Sequence, residues 1–233
     1  MIWRLIPLIE ASGHAQMAID KWLLEQYVAG NHPPVLRFYT WSSPTISLGY
    51  HQKKYPEYWK ELVWQGKKLE LVKRPTGGRA VLHQGDLTYA VVTSVTSNRM
   101  EAYQQVCEFL IAGWKNLGVD LHYGTAGRGY IHNPNCFGTA TGADLVTVDG
   151  CKLIGSAQLR RGDAILQHGS MRLERDGGLF SEVFGEVFTP IDGLENINIE
   201  MIVSSLVAAA RVCFDVQFDV RPLSTDEWEL ILF

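Results

Sequence analysis

The chain has 233 residues, 46% of them hydrophobic and 20% charged, a mix that buries a real core and allows one large domain or two small ones. Its formal net charge of −4 argues against a generic electrostatic attraction to nucleic acid. No run of about 20 apolar residues occurs, so no membrane span is expected either.

The N-terminal "MIWRLIPLIEASG" is apolar but broken by Arg4 and Glu10, and it lacks the continuous apolar region of a signal peptide. "MAIDKWLLEQYVAG" reads as a first helix, with Met17, Trp22, Leu23, Gln26 and Tyr27 near helical spacing and Gly30 as a stop. "VLRFYTW" and "TISLGY" follow as strands across a turn at Ser42 to Pro44. "YPEYWKELVWQGKK" opens on Pro56, a favourable early helix residue, and predicts a second helix. "LELVKRPTGGRAVLH" then runs into "DLTYAVVTSV" as a hairpin, interrupted by Pro75, Gly77 and Gly78. Proline and glycine both weaken a strand, so this interruption asks for a reason. A β-bulge or a sheet corner is one reading of it. Close approach of backbone to a ligand is the other, because glycine carries no Cβ.

Residues 100–117 predict a third helix, with Tyr103, Val106, Leu110, Ile111 and Trp114 as its apolar stripe. The strand "VDLHYG" leads into a long loop, "TAGRGYIHNPNCFGTATGA", and long ordered loops are often functional. "DLVTV", "KLIGSAQLR" and "AILQHGSMRLE" read as a meander, joined by tight turns at "DGC" and at "RGD". A helix over residues 200–213, the strand "FDVQFDV" and a short tail complete the chain. No internal repeat, low-complexity run or linker is present, so residues 1–233 read as a single α+β domain.

Four cysteines, at positions 107, 136, 151 and 213, form no CxxC pair and no framework spacing. A reduced, cytoplasmic protein is therefore expected. The seven histidines include no HExxH or HxH pair, so no metal site is expected. Cys107 and Cys213 sit among apolar helical residues and read as small core hydrophobes.

"RPTGGRAVLHQGDLTYAVV" together with "KLIGSAQLRRGDAILQHGSM" resembles the lipoate-protein ligase and octanoyltransferase family, relatives of the biotin ligases. The resemblance runs from the first helix to about Leu173. It implies a mixed, largely antiparallel sheet flanked by helices, and a Gly77-Gly78 segment lying against a fatty acyl chain. Ligases of the family make an acyl-adenylate from ATP; transferases take an octanoyl thioester from acyl carrier protein and need no ATP. Arg79 stands where the ligase motif has a third glycine, and no separate C-terminal accessory domain is expected. Both features favour transfer, with no cofactor; ATP and Mg are expected only on the ligase alternative.

The resemblance also implies roles for residues. Cys136, in "NPNCFGTATGADL", resembles the nucleophile of the cysteine-dependent octanoyltransferases, although their Cys-Phe-Asp reads Cys136-Phe137-Gly138 here. Cys151 is its rival, but neighbours in a strand face opposite ways, so Cys151 and Lys152 should diverge. Lys152 matches the lysine at the reacting carbonyl. Gly77, Gly78 and a Gly155-Ser156-Ala157 turn would shape the acyl tunnel. His83 and His168 would line it or orient groups there as neutral hydrogen-bonding residues. Arg74 and Arg79 would hold a phosphopantetheine arm, an adenylate phosphate or surface salt bridges. The partners implied are octanoyl-acyl carrier protein and lipoyl domains of E2 subunits or the glycine cleavage H protein. Arg74, Arg128, Arg160 and Arg161 would steer these acidic domains. Two alternatives remain beside the octanoyltransferase: an ATP-dependent lipoate ligase and a non-catalytic acyl-binding protein.

Overall fold

A computed structural model describes residues 1–124, 144–173, 176–188 and 190–232. Thirteen strands occur among them: β1 Ile2–Ala11, β2 Val35–Trp41, β3 Thr45–Leu48, β4 Val63–Trp64, β5 Lys67–Lys68, β6 Glu70–Lys73, β7 Val81–His83, β8 Asp86–Ser94, β9 Leu121–Tyr123, β10 Leu145–Thr147, β11 Lys152–Arg161, β12 Ala164–Arg172 and β13 Gln217–Val220. The helices are α1 Gly13–Val28, α2 Arg99–Asn116, α3 Gly177–Phe184, α4 Ile199–Cys213 and α5 Thr225–Leu232.

Eight strands form the main sheet, in the order β13-β1-β2-β8-β12-β11-β10-β9. Strand β1 runs parallel to both of its neighbours, and every other pairing in the sheet is antiparallel. A mixed, largely antiparallel sheet flanked by helices is therefore the architecture. One face packs its apolar side chains, among them Leu36, Phe38 and Ile165, on α2 and α4. The other receives α1, through Met17, Ile19, Leu23 and Leu24. A smaller sheet, β6-β3-β7, has its own apolar cluster with α3 and Trp59.

The expected hairpin between residues 69 and 95 does not form. Strands β6 and β7 both pair with β3, which lies between them, while β8 belongs to the main sheet. The glycine-bearing segment is thus a connection within the small sheet, not a weakened strand. The second predicted helix is also replaced. Residues Glu57–Lys60 make one 3-10 turn, and β4 and β5 then form a hairpin across Gln65 and Gly66, both at positive φ. Tyr55, Trp59 and Leu62 mimic helical spacing in sequence, but Gln65-Gly66 is a turn pair.

Three elements were not foreseen. Strand β1 is the N-terminal apolar run; its Arg4 is 1% exposed and donates to Glu227 at 2.6 Å. Helix α3 opens on two glycines, with Asp176 capping Gly178 and Leu179. Helix α5, expected as a tail, begins with a reciprocal cap between Ser224 and Glu227.

Candidate active site

A cleft enclosing about 450 Å³, part of it open to solvent, lies between the two sheets. Met17 of α1, Tyr39 and Trp41 of β2 and Val81 of β7 supply apolar wall. From β11 and β12 come Gly155, Ser156, Ala157, His168 and Gly169. Gly155, Ser156 and Ala157 are not a turn. They pair in mid-strand with Ser170, Gly169 and His168, and all three line the cleft, although the Ser156 hydroxyl turns to Tyr89 at 2.8 Å. A Cβ on Gly169 would fall 2.4 Å from Ser156 Oγ and 2.7 Å from the Tyr89 ring.

The connection from β6 to β7 closes the cleft on the small-sheet side, and Arg74 holds it in shape. The guanidinium, 6% exposed, donates to the carbonyls of Gly77 at 2.9 Å, Arg79 at 2.6 Å and Ser47 at 2.8 Å. Arg74 is thus engaged by backbone of its own connection, while it also lines the cleft and the groove beside it. Gly78 takes φ +99 and lines the cleft. Gly49, just beyond β3, lies so close that a Cβ there would fall 1.9 Å from the Gly78 carbonyl oxygen. Gly77 lines an outer groove instead, and Arg79 lines neither cavity.

Two buried relays fasten this connection to the sheets. In the first, His83 Nδ1 lies 2.8 Å from Asp86 and its Nε2 2.8 Å from Ser47 Oγ, which also accepts from Arg74 at 3.1 Å. The Asp86 carboxylate can only accept, so Nδ1–H is directed at it, and Nε2 of the neutral ring accepts from the Ser47 hydroxyl. Trp41 stacks on the His83 ring at 3.8 Å between centroids. In the second, His168 Nδ1 lies 2.6 Å from Asp20 and its Nε2 2.6 Å from Thr76 Oγ1, on the connection itself. Burial alone would raise the Asp20 carboxyl. The Arg37 guanidinium at 2.8 Å, with hydrogen bonds from His168 and Tyr39, outweighs burial and holds Asp20 below the usual carboxylate range. Both histidines are thus ring-locked hydrogen-bonding residues at the cleft wall.

Lys152, at the start of β11, is not on the cleft lining. Its ammonium lies 2.9 Å from Asp144, with both side chains buried. A strand rise of about 3.3 Å per residue sets its backbone roughly 10 Å from Gly155. Cys136 lies outside the described residues, as does Arg128. Cys151 packs against the core beneath α2 and α4. Burial pushes the Cys107 thiol up to about 12, far from a reactive thiolate, and also raises that of Cys213. Among the described residues no group of three His, Cys, Asp or Glu side chains could hold a metal ion.

The residues missed by sequence reasoning are the carboxylates and hydroxyls behind the histidines and the lysine. Asp20 carried a signal, an acid three residues from Met17 and from Leu23 inside the apolar stripe of α1. Asp86 carried another, three residues after His83. Ser47, Thr76 and Asp144 carried none that spacing alone would reveal.

The family model for the lipoyl protein ligase A/B catalytic domain matches residues 12–213. The chain is 42% identical over 180 residues to octanoyltransferase LipM of Carboxydothermus hydrogenoformans, covering 75% of this chain and 66% of that protein. It is 38% identical over 194 residues to octanoyltransferase LipM of Bacillus subtilis, covering 78% of this chain and 69% of that protein. It thus spans about two thirds of the length of these relatives. Among solved structures, a lipoate-protein ligase A bound with ATP superposes with a TM-score of 0.79 at 23% identity, over 99% of this chain and 93% of the other. A bipartite lipoate protein ligase from Thermoplasma acidophilum gives 0.77 at 21% identity, over 99% and 91%. At such identities these two show a shared fold.

Proposed function

The chain belongs to the lipoyl protein ligase A/B catalytic domain family, and on that premise we propose that it is an octanoyltransferase of lipoate biosynthesis, an acyltransferase acting on lipoyl domains. The observation that carries the reading is the apolar cleft itself. Gly78 on one side and the small residues 155–157 on the other, with the apolar wall of Met17, Tyr39, Trp41 and Val81, give a narrow slot fit for an unbranched acyl chain. Similarity to named octanoyltransferases across three quarters of the chain supports transfer over ligation.

In this proposal octanoyl-acyl carrier protein is the donor and a lipoyl-domain lysine the acceptor, in the cytoplasm and without ATP or Mg. The Cys136 thiolate attacks the thioester carbonyl; the new C–S bond forms, and the carrier thiolate departs and takes a proton. The acceptor amine then attacks the enzyme thioester, the amide forms as the amine loses a proton, and the Cys136 thiolate returns. Splitting the transfer in this way is nucleophilic catalysis with ping-pong kinetics. Lys152 acts as a cation towards the thiolate and the developing oxyanion, a contribution worth about 3 kcal/mol of barrier for a well-placed donor. The Asp144 carboxylate fixes the direction of its ammonium.

Intact-protein mass spectrometry tests the reading. Mixing with octanoyl-carrier protein, without ATP, should give an octanoyl adduct that hydroxylamine removes and that Cys136→Ala lacks. Lipoate-dependent pyrophosphate release would instead identify an ATP-dependent ligase. Tight octanoate binding with no transfer to any lipoyl domain would identify a binding protein.

A further inference from the structure

Beside the cleft lies a second, larger groove of about 1760 Å³, much of it open to solvent, whose lining includes six cationic side chains and no carboxylate. They are Lys21 of α1, Lys73 and Arg74 at the end of β6, Arg99 at the start of α2, and Arg160 and Arg161 at the end of β11. In a chain of net charge −4 this is a concentrated reversal of sign. Some of that charge is already answered. Lys21 and Arg161 approach Glu25 at 3.9 and 3.7 Å, Arg160 approaches Asp163 at 3.8 Å, and Arg74 is held by backbone carbonyls. Lys73 and Arg99 are exposed and form no ion pair among the described residues; Lys73 lies 5.2 Å from the exposed Tyr50 ring.

The groove and the cleft meet. Met17 and Arg74 line both, and the adjacent glycines 77 and 78 line one each. The groove and the acyl slot are thus neighbours, close enough for one extended ligand to engage both. The groove suits an extended arm with a fixed negative charge, because cations on its lining from four elements match a phosphate better than a neutral protein face would.

We propose that this groove binds the phosphodiester of the donor's phosphopantetheine arm, with Lys73 and Arg99 as the phosphate-contacting cations. The inference rests on the octanoyltransferase reading and assigns the carrier's charge to residues other than Arg74 and Arg79. The donor's acyl chain then fills the cleft while its phosphate anchors in the groove, so the arm is held at both ends.

The test compares two small donors, octanoyl-phosphopantetheine and octanoyl-pantetheine, that differ only in the phosphate. The wild type should prefer the phosphorylated donor by about tenfold or more in kcat/KM, the equivalent of about 1.4 kcal/mol. The preference should shrink as ionic strength rises. In Lys73→Glu/Arg99→Glu it should fall to within about twofold. Calorimetric binding of unacylated phosphopantetheine against pantetheine gives the same comparison without turnover, so a failure of the transferase reading leaves the groove measurable. Equal handling of the two arms by the wild type overturns the proposal, as does a preference that survives the double variant. A rise in acceptor KM with an unchanged donor preference also overturns it, and assigns the groove to the acidic lipoyl domain.

Discussion

At the scale of single residues, the buried pair between Lys152 and Asp144 separates stability from chemistry. Removing one member of such a pair strands the other charge, which typically costs 3–5 kcal/mol. Lys152→Ala should therefore both unfold at lower temperature and lose transfer, by about 10²–10³ in kcat if its ammonium serves the oxyanion. The double variant Asp144→Asn/Lys152→Gln removes both charges. It should regain most of the lost melting temperature yet stay as slow as Lys152→Ala, and parallel recovery of rate would show that Lys152 is structural. Thr76→Val makes a subtler prediction. It keeps the shape of the side chain but leaves His168 Nε2 with no hydroxyl at 2.6 Å, a loss of about 1–3 kcal/mol for a buried acceptor. The released connection should raise KM for the acyl donor more than it lowers kcat, as steady-state kinetics can read.

At the scale of elements, what was legible in the sequence follows from periodicity and from caps. The long helices α2 and α4 were readable because their apolar stripes are regular, and the structure adds Asn98 and Asn198 as their caps. The β11–β12 hairpin was readable from alternation and its Arg161-Gly162-Asp163 turn; the pairing runs from Ile154 with Met171 to Arg161 with Ala164. Strand β1 was hidden because Arg4 breaks its apolar run, and its burial is made tolerable by remote partners, the Glu227 carboxylate and the carbonyls of Arg221 and Pro222. The small sheet was hidden for a different reason. Its central strand β3 precedes both partners in sequence, so β6 and β7 look like each other's hairpin until β3 comes between them. The site shows the same limit. His83 and His168 stood out as residues, but their partners Asp20, Ser47 and Thr76 come from distant elements, and tertiary packing alone joins them. Asp86 stands only three residues from His83, and its role still depends on the side chains converging across the cleft.

At the scale of the whole molecule, the termini are tied together and the tie is acid-labile. Hydrogen bonds from Arg4, with one from His32, hold the Glu227 carboxyl at about 2 against an ordinary 4.5. A carboxyl depressed in the folded state contributes stability that is fully present above its unfolded value and is lost as pH falls towards the folded one. Glu227→Gln should thus lower the melting temperature at neutral pH by roughly 2–4 °C. It should also flatten the part of the stability loss that lies between pH 4.5 and 2, which chemical denaturation at stepped pH would measure. Helix α5 is the element this tie secures, packing Trp228 and Ile231 onto the α1 side of the main sheet. The nearness of Gly49 to Gly78 bears on how the chain can drift through sequence space. The atoms that a Cβ at position 49 would strike belong to main chain, the carbonyl of residue 78 at 1.9 Å and its carbon at 2.7 Å. No exchange of side chain at 78 can relieve that conflict, so position 49 cannot be rescued by a compensating partner. Position 78 is closed for a different reason: its close neighbour is only the far end of the Arg74 side chain, at 2.7 Å, but its φ of +99 is one that L side chains rarely adopt. A library randomised at 49, 74 and 78 and selected for lipoylation should return glycine at 49 in every survivor. Glycine should likewise dominate at 78 whatever residue stands at 74, because removing the Arg74 side chain opens space without relieving the backbone conformation.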